Sequence, residues 1–186
     1  MKEKLMPPLV LTIICVVVSG LLALAYNATY VDLTGVMTDE LREGCESIFG
    51  KADYEMLTEE KNGKKAPVNF GNEKINSIII DPKTSNCVFE ITEDGYSKGG
   101  LHLLIGLDYA GQVRGIEFIS IGETPGLGTK VQNDDFIHQF LQATTETNIE
   151  GLDNVTAATF SSKGMKRAVR ECLDVFNENK EAIYGD

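Results

Sequence analysis

Two short stretches concentrate the residues that can do chemistry. GETPGLGTK (residues 122–130) sets a carboxylate, Glu123, and a hydroxyl, Thr124, ahead of Pro125, Gly126, Leu127 and Gly128. Proline fixes one φ angle, and the glycines allow turns closed to other residues, so the backbone can come close to a flat ligand. The run is neither a P-loop nor a dinucleotide fingerprint. DNVTAATFS (residues 153–161) crowds Thr156, Ala157, Ala158, Thr159 and Ser161 just ahead of a helical pattern. A helix N-terminus offers unpaired N–H groups and a partial positive charge, which suits phosphate. The alanines let a bulky ligand approach, and the hydroxyls of Thr156, Thr159, Ser161 and Ser162 can donate to phosphate oxygens. A plain serine N-cap preceded by a small-residue turn fits the same letters.

The elements around these stretches follow from hydrophobic period. Thr38, Glu40 and the stripe Leu41, Cys45, Ile48 predict a capped helix closed by Gly50. The charged segment 59–67 reads as a solvated loop. INSIIID (75–81) and NCVFEIT (86–92) read as strands joined by a turn; LHLLIGLD and VRGIEFISI read as a hairpin around Tyr109–Gln112. Residues 131–142 read as a helix carrying Val131, Phe136, Ile137 and Phe140. The last helix, from near Ser161, buries Met165, Ala168, Val169, Cys172, Leu173 and Phe176 at i, i+3, i+4 spacing. Hairpin strands with helices beside them predict an α+β fold rather than a doubly wound sheet.

Ahead of this lies an uncharged run, Met6–Tyr26, long enough to cross roughly 30 Å of hydrocarbon as a helix. Lys2 and Lys4 precede it, which places the N-terminus in the cytoplasm and the rest outside. A cleaved signal peptide is the competing reading, with Ala23-Leu24-Ala25 as its cleavage site, but the apolar run exceeds the usual core of about 7–15 residues. The expected organisation is a cytoplasmic tip and transmembrane anchor (1–26), a membrane-proximal segment (27–94), a ligand-binding domain (95–182) and a short tail (183–186).

Composition removes several classes of function. The 186 residues carry a formal charge of −11 and no basic patch with interleaved aromatics, which disfavours nucleic acid. His102 and His138 stand alone, and Cys45, Cys87 and Cys172 show no metal-ligand spacing; they can hold at most one disulfide or all be free. No hydrolase motif is present. The apolar run lacks the glutamate of a pilin and, Cys15 aside, any ionisable residue that would mark an ion pathway.

Taken together, GETPGLGTK and the later DNVTAATFS resemble the FMN-binding domain family. Members include the G subunits of Rnf-type ion-translocating electron transport complexes and the C subunits of the sodium-pumping NADH:quinone reductase. The resemblance covers roughly Gly95–Ala182, and the anchor, the chain length and the E-T-P-G-L-G wording are most similar to the Rnf group. It implies FMN joined through its phosphate to Thr159, after Asp153 and Thr156 and before Ser161; Ala157 stands where the family usually has glycine. It also implies that Glu123, Thr124, Leu127, Gly128, Thr156, Ala158 and Ser161 bind the cofactor. A flavin transferase would supply FMN from FAD, so no residue of the chain is itself catalytic. The implied partners are polytopic subunits of an electron transport complex and a second subunit with covalent FMN, all in the cell (inner) membrane. The alternatives are another anchored extracytoplasmic flavoprotein, such as a quinone-reductase C subunit or a stand-alone reductase, and a cofactor-free anchored binding protein.

Overall fold

The computed structural model describes residues 2–29, 35–61 and 63–185. The chain divides into two compact units, residues 1–33 and 34–186. The first holds helix α1 (Lys2–Thr29). Its segment Pro8–Thr29 has a mean hydropathy of 2.7 and no buried residue, so it is long and apolar enough to cross a membrane and is not a core helix. The helix begins at Lys2, upstream of the uncharged run, and Pro7 and Pro8 fall in its second turn.

The second unit is built on a five-stranded sheet of order β1 (Glu55–Met56), β4 (Ile75–Asp81), β5 (Asn86–Glu93), β6 (Leu101–Leu107) and β7 (Val113–Ile121). Every neighbouring pair is antiparallel. The α+β reading therefore holds. The period-two pattern has a use on both faces. Cys87, Phe89, Ile91, Leu103 and Ile105 pack with helix α4 (Thr159–Tyr184) on one side. Ile79, Val88 and Leu104 pack with helix α2 (Asp39–Phe49) on the other. Thr38 caps α2 as the sequence indicates, accepting from Leu41 N at 3.3 Å. Tyr54 Oη closes the far end, donating to the carbonyls of Cys45 and Gly50 at 3.1 and 2.6 Å.

The helix α4 face is tied to the sheet by a buried carboxylate. Glu93, 2% exposed, takes Lys74 Nζ at 2.7 Å and the Arg167 guanidinium at 3.2 Å. Cys45, Cys87 and Cys172 are free and buried, so neither a disulfide nor a metal cluster occurs among the described residues. His102 is a structural residue on the sheet, 2.8 Å from Glu90.

Three local expectations need correction. Segment 59–67 is not a loop: β2 (Thr58–Lys61) and β3 (Lys64–Pro67) pair as a separate hairpin. The Asn-Gly pair at 62–63 is a strong hairpin signal that the charge content obscured. Residues 131–142 are not one helix but a 3-10 turn (Gly128–Gln132), a single helical turn α3 (Asp134–Ile137) and another 3-10 turn (His138–Phe140). Val131 and Phe136 are both buried five positions apart, a spacing that a straight helix does not bring to one face. Asn133, extended at φ −67° and ψ 136°, resets the phase between them. Finally, α4 begins at Thr159, and its N-cap is Ala158 with no side-chain cap, so the serine-cap reading fails.

Candidate functional site

Antiparallel topology brings three loops to one end of the sheet. They are the turn 95–100 between β5 and β6, the loop leaving β7 at Gly122, and the segment entering α4. Gly122 N donates to Gly100 O at 2.8 Å and ties the first two together. The loops enclose a cavity of about 450 Å³ lined by Tyr96, Thr124, Leu127, Gly128, Ala157, Ala158, Thr159, Phe160 and Ser161. That volume lies within the usual range for small-molecule sites, roughly 300–1,000 Å³.

The entry to α4 is shaped by its own residues. Ala158 N donates to Val155 O at 3.0 Å, closing a turn whose third residue, Ala157, has φ +66°. Left-handed backbone at that place favours glycine. The first intrahelical bond runs from Ser162 N to Ala158 O at 2.9 Å. The N–H groups of Thr159, Phe160 and Ser161 precede it, and no side chain caps the helix. Ser162 is spent locally: its hydroxyl accepts from Val155 N at 3.0 Å and donates to Ala158 O at 2.9 Å. Thr159 is exposed on the cavity wall.

Across the cavity, Gly126 is left-handed (φ +73°), and its N–H donates to Thr129 Oγ1 at 2.9 Å. Leu127 N donates to Thr124 O at 3.1 Å. This folds the loop so that Thr124, Leu127 and Gly128 face α4. Glu123 stands behind the wall rather than on it. It is 4% exposed, with Oε2 accepting from Tyr96 N and Oε1 from Ser97 N, each at 3.0 Å. The Ser161 hydroxyl donates to the same carboxylate. A Cβ on Gly95, Gly100 or Gly128 would come within 2.2–2.7 Å of Glu123. These three glycines leave the space that the buried carboxylate fills.

Of the residues singled out from sequence, Thr124, Leu127, Gly128, Ala158, Thr159 and Ser161 share the cavity; Glu123 lies behind it and exposed Thr156 in the turn beside it. Lys166 is buried and turned to the carbonyls of Glu150 and Leu152, at 3.3 and 2.5 Å, where it braces the approach to the motif. Sequence reasoning missed Tyr96 and Phe160, which are 73% and 66% exposed and meet edge to face with ring centroids 6.1 Å apart. An aromatic inside the glycine-rich GYSKGG turn was the available signal for Tyr96. Phe160 carried none, because only the start of α4 at Thr159 turns it to the cavity.

Residues 95–174, which include both loops, match the FMN-binding domain family. Among curated relatives, the G subunit of the ion-translocating oxidoreductase complex of Shewanella piezotolerans is 30% identical over 105 residues, covering 50% of this chain and 49% of the relative. The chain thus spans about half the length of that relative. The protein of the same name from Vibrio vulnificus is 24% identical over 191 residues, covering 94% and 90% of the two chains. Among solved structures, the C subunit of the Na(+)-translocating NADH-quinone reductase from Parabacteroides distasonis gives a TM-score of 0.44 at 17% identity. That alignment covers 67% of this chain and 76% of that one.

The residues present suit FMN. The uncapped N–H groups of α4 and the hydroxyls of Thr124 and Thr159 offer donors to a phosphate, while Tyr96, Leu127 and Phe160 offer apolar surface to a ring system. No charged side chain lines the cavity.

Proposed function

We propose that the chain is the FMN-carrying electron-relay subunit of a membrane-bound ion-translocating ferredoxin:NAD oxidoreductase, with FMN esterified through its phosphate to Thr159. The observation that carries this reading is the uncapped N-terminus of α4. Its first residue, Thr159, presents a hydroxyl on a cavity whose opposite wall is the Thr124–Gly128 loop. A phosphate held there meets the free N–H groups and the positive end of a 26-residue helix.

Attachment makes Thr159 a modification substrate. Its hydroxyl oxygen bonds to the FMN phosphorus of FAD, AMP leaves, and the hydroxyl proton passes to solvent, with a flavin transferase directing the exchange. The bound flavin supplies reversible one- or two-electron redox chemistry. The protein's own tasks are positional. Thr124 and the α4 N–H groups hold the phosphate end. Leu127, Tyr96 and Phe160 offer their apolar surfaces to the ring and keep water from that part of it. Gly128 and Ala158 keep the walls thin.

Helix α1 anchors the chain in the cell (inner) membrane with the folded unit on the outer side. It contains no Asp, Glu, Lys or Arg between Leu5 and Thr29, so ion movement belongs to polytopic partner subunits. A second subunit with covalent FMN is the natural exchange partner.

The test is mass spectrometry of the chain made together with a flavin transferase. Trypsin releases residues 131–163, since Lys130 and Lys163 bound a stretch free of Lys and Arg. The expected peptide carries FMN less one water on Thr159, and T159A carries none. An unmodified peptide would sink the attachment, and a colourless protein would favour a cofactor-free binding role.

A further inference from the structure

The cavity has a negative charge built in behind it. Two backbone N–H groups, which can only donate, reach different oxygens of Glu123, and the Ser161 hydroxyl donates as well. Both oxygens therefore act as acceptors, the pattern of an ionised carboxylate. No lysine, arginine or histidine forms an ion pair with it among the described residues. Its three supports belong to the cavity or adjoin it: Tyr96 and Ser161 line it, and Ser97 follows Tyr96. Gly128, against which the carboxylate packs, lines it too.

A buried charge held by hydrogen bonds alone is poorly screened and acts on whatever occupies the space in front of it. Resting on the FMN reading above, we infer that Glu123 is a potential-setting positioning residue. Its fixed negative charge opposes further negative charge in the cavity, so it disfavours the reduced cofactor and weakens noncovalent capture of the FMN anion. The covalent tether to Thr159 offsets that weak capture. The Ser161 hydroxyl stands between the carboxylate and the cavity as a partial screen, since it lines the cavity and donates to Glu123.

The test uses the full-length flavinylated chain in detergent and a spectroelectrochemical titration at pH 7. E123Q keeps the shape and removes the charge, while its amide NH2 takes the place of one of the two oxygens that accept from Tyr96 N and Ser97 N. It should favour the reduced flavin by about tenfold, a rise of about 30 mV for a two-electron couple. S161A keeps the charge and removes the screen, so its potential should fall. Opposite signs separate this role from a merely structural one, which would move both variants the same way.

A second readout needs no attached cofactor. In a T159A background, E123Q should bind free FMN about tenfold more tightly than Glu123, read by quenching of flavin fluorescence. Folded, flavinylated E123Q with an unchanged or lower potential overturns the inference. If E123Q does not fold, S161A decides, and a potential equal to or above that of the parent overturns it. A chain that takes no FMN at all, by mass and by colour, removes the FMN reading itself and this inference with it.

Discussion

Ala157→Gly makes the sharpest test of the loop that enters α4. Ala157 is exposed, at φ +66°, in the turn closed by Ala158 N and Val155 O. Being exposed, its methyl group contributes little packing, so the backbone decides the outcome. Holding an L-residue in left-handed backbone costs roughly 1–2 kcal/mol. Glycine removes that cost but gives the unfolded chain extra freedom worth about 0.4–1 kcal/mol. The difference predicts a gain of about 0.5–1 kcal/mol. For a domain of this size that is about 1–4 °C in Tm, or a few tenths molar in the urea midpoint. An exposed alanine at ordinary negative φ behaves in the opposite way, losing about 0.5–1 kcal/mol on the same change. The sign alone therefore discriminates. The assay is urea unfolding followed by far-UV circular dichroism, with A157V as a control that should lose more than 1 kcal/mol, because a β-branched residue tolerates positive φ poorly. A lower midpoint for A157G than for the parent would refute the left-handed turn and the account of this loop built on it.

Gly128→Ala should disrupt the cavity wall at a cost of about 1–3 kcal/mol, since its Cβ would meet the Glu123 carboxylate and Ser161 Oγ at 2.6–2.7 Å; parent-like stability in the same urea assay would contradict this packing. Burial pushes the thiols of Cys45, Cys87 and Cys172 up, that of Cys45 to about 12. Maleimide should leave all three unlabelled in the folded chain at pH 7 and label them in urea; native labelling of any would contradict the core described here. Burial alone would raise the Glu90 carboxyl, but hydrogen bonds from His102 and Ser77 outweigh it and hold the group below its ordinary value. Its contribution to stability is thus fully present above the unfolded pKa of about 4.3 and is lost as pH falls through the lower folded value. From about pH 5 downward, where carboxylates titrate, the gap in urea midpoint between the parent and E90Q should close, and a gap that widens over that range would reverse the sign.

The sequence by itself determined whatever rests on local pattern. The apolar run of α1, the Thr38 cap of α2, the alternation in β4 to β7 and the stripe of α4 each express one residue's neighbours along the chain, and each reappears at nearly its expected place. The two loops were legible for the same reason: crowded glycines, hydroxyls and small residues mark a backbone built for close approach. The hairpin at 58–67 was legible in principle, through its Asn-Gly pair, and was hidden by charge. Only the tertiary structure decided how the loops divide their work. Hydroxyls of Ser161 and Ser162 look alike in sequence to that of Thr159. They are committed to Glu123 and Ala158, while Thr159 lies at the cavity. Glu123 reads as one more residue of its loop until packing buries it behind three glycines, two from the turn 95–100 and one from its own loop. Those roles depend on which groups meet across as many as 38 residues of chain, and hydrophobic period carries no information about such meetings. The antiparallel sheet supplies it, by bringing the end of β5, the start of β6 and the end of β7 to one edge, against the first turn of α4.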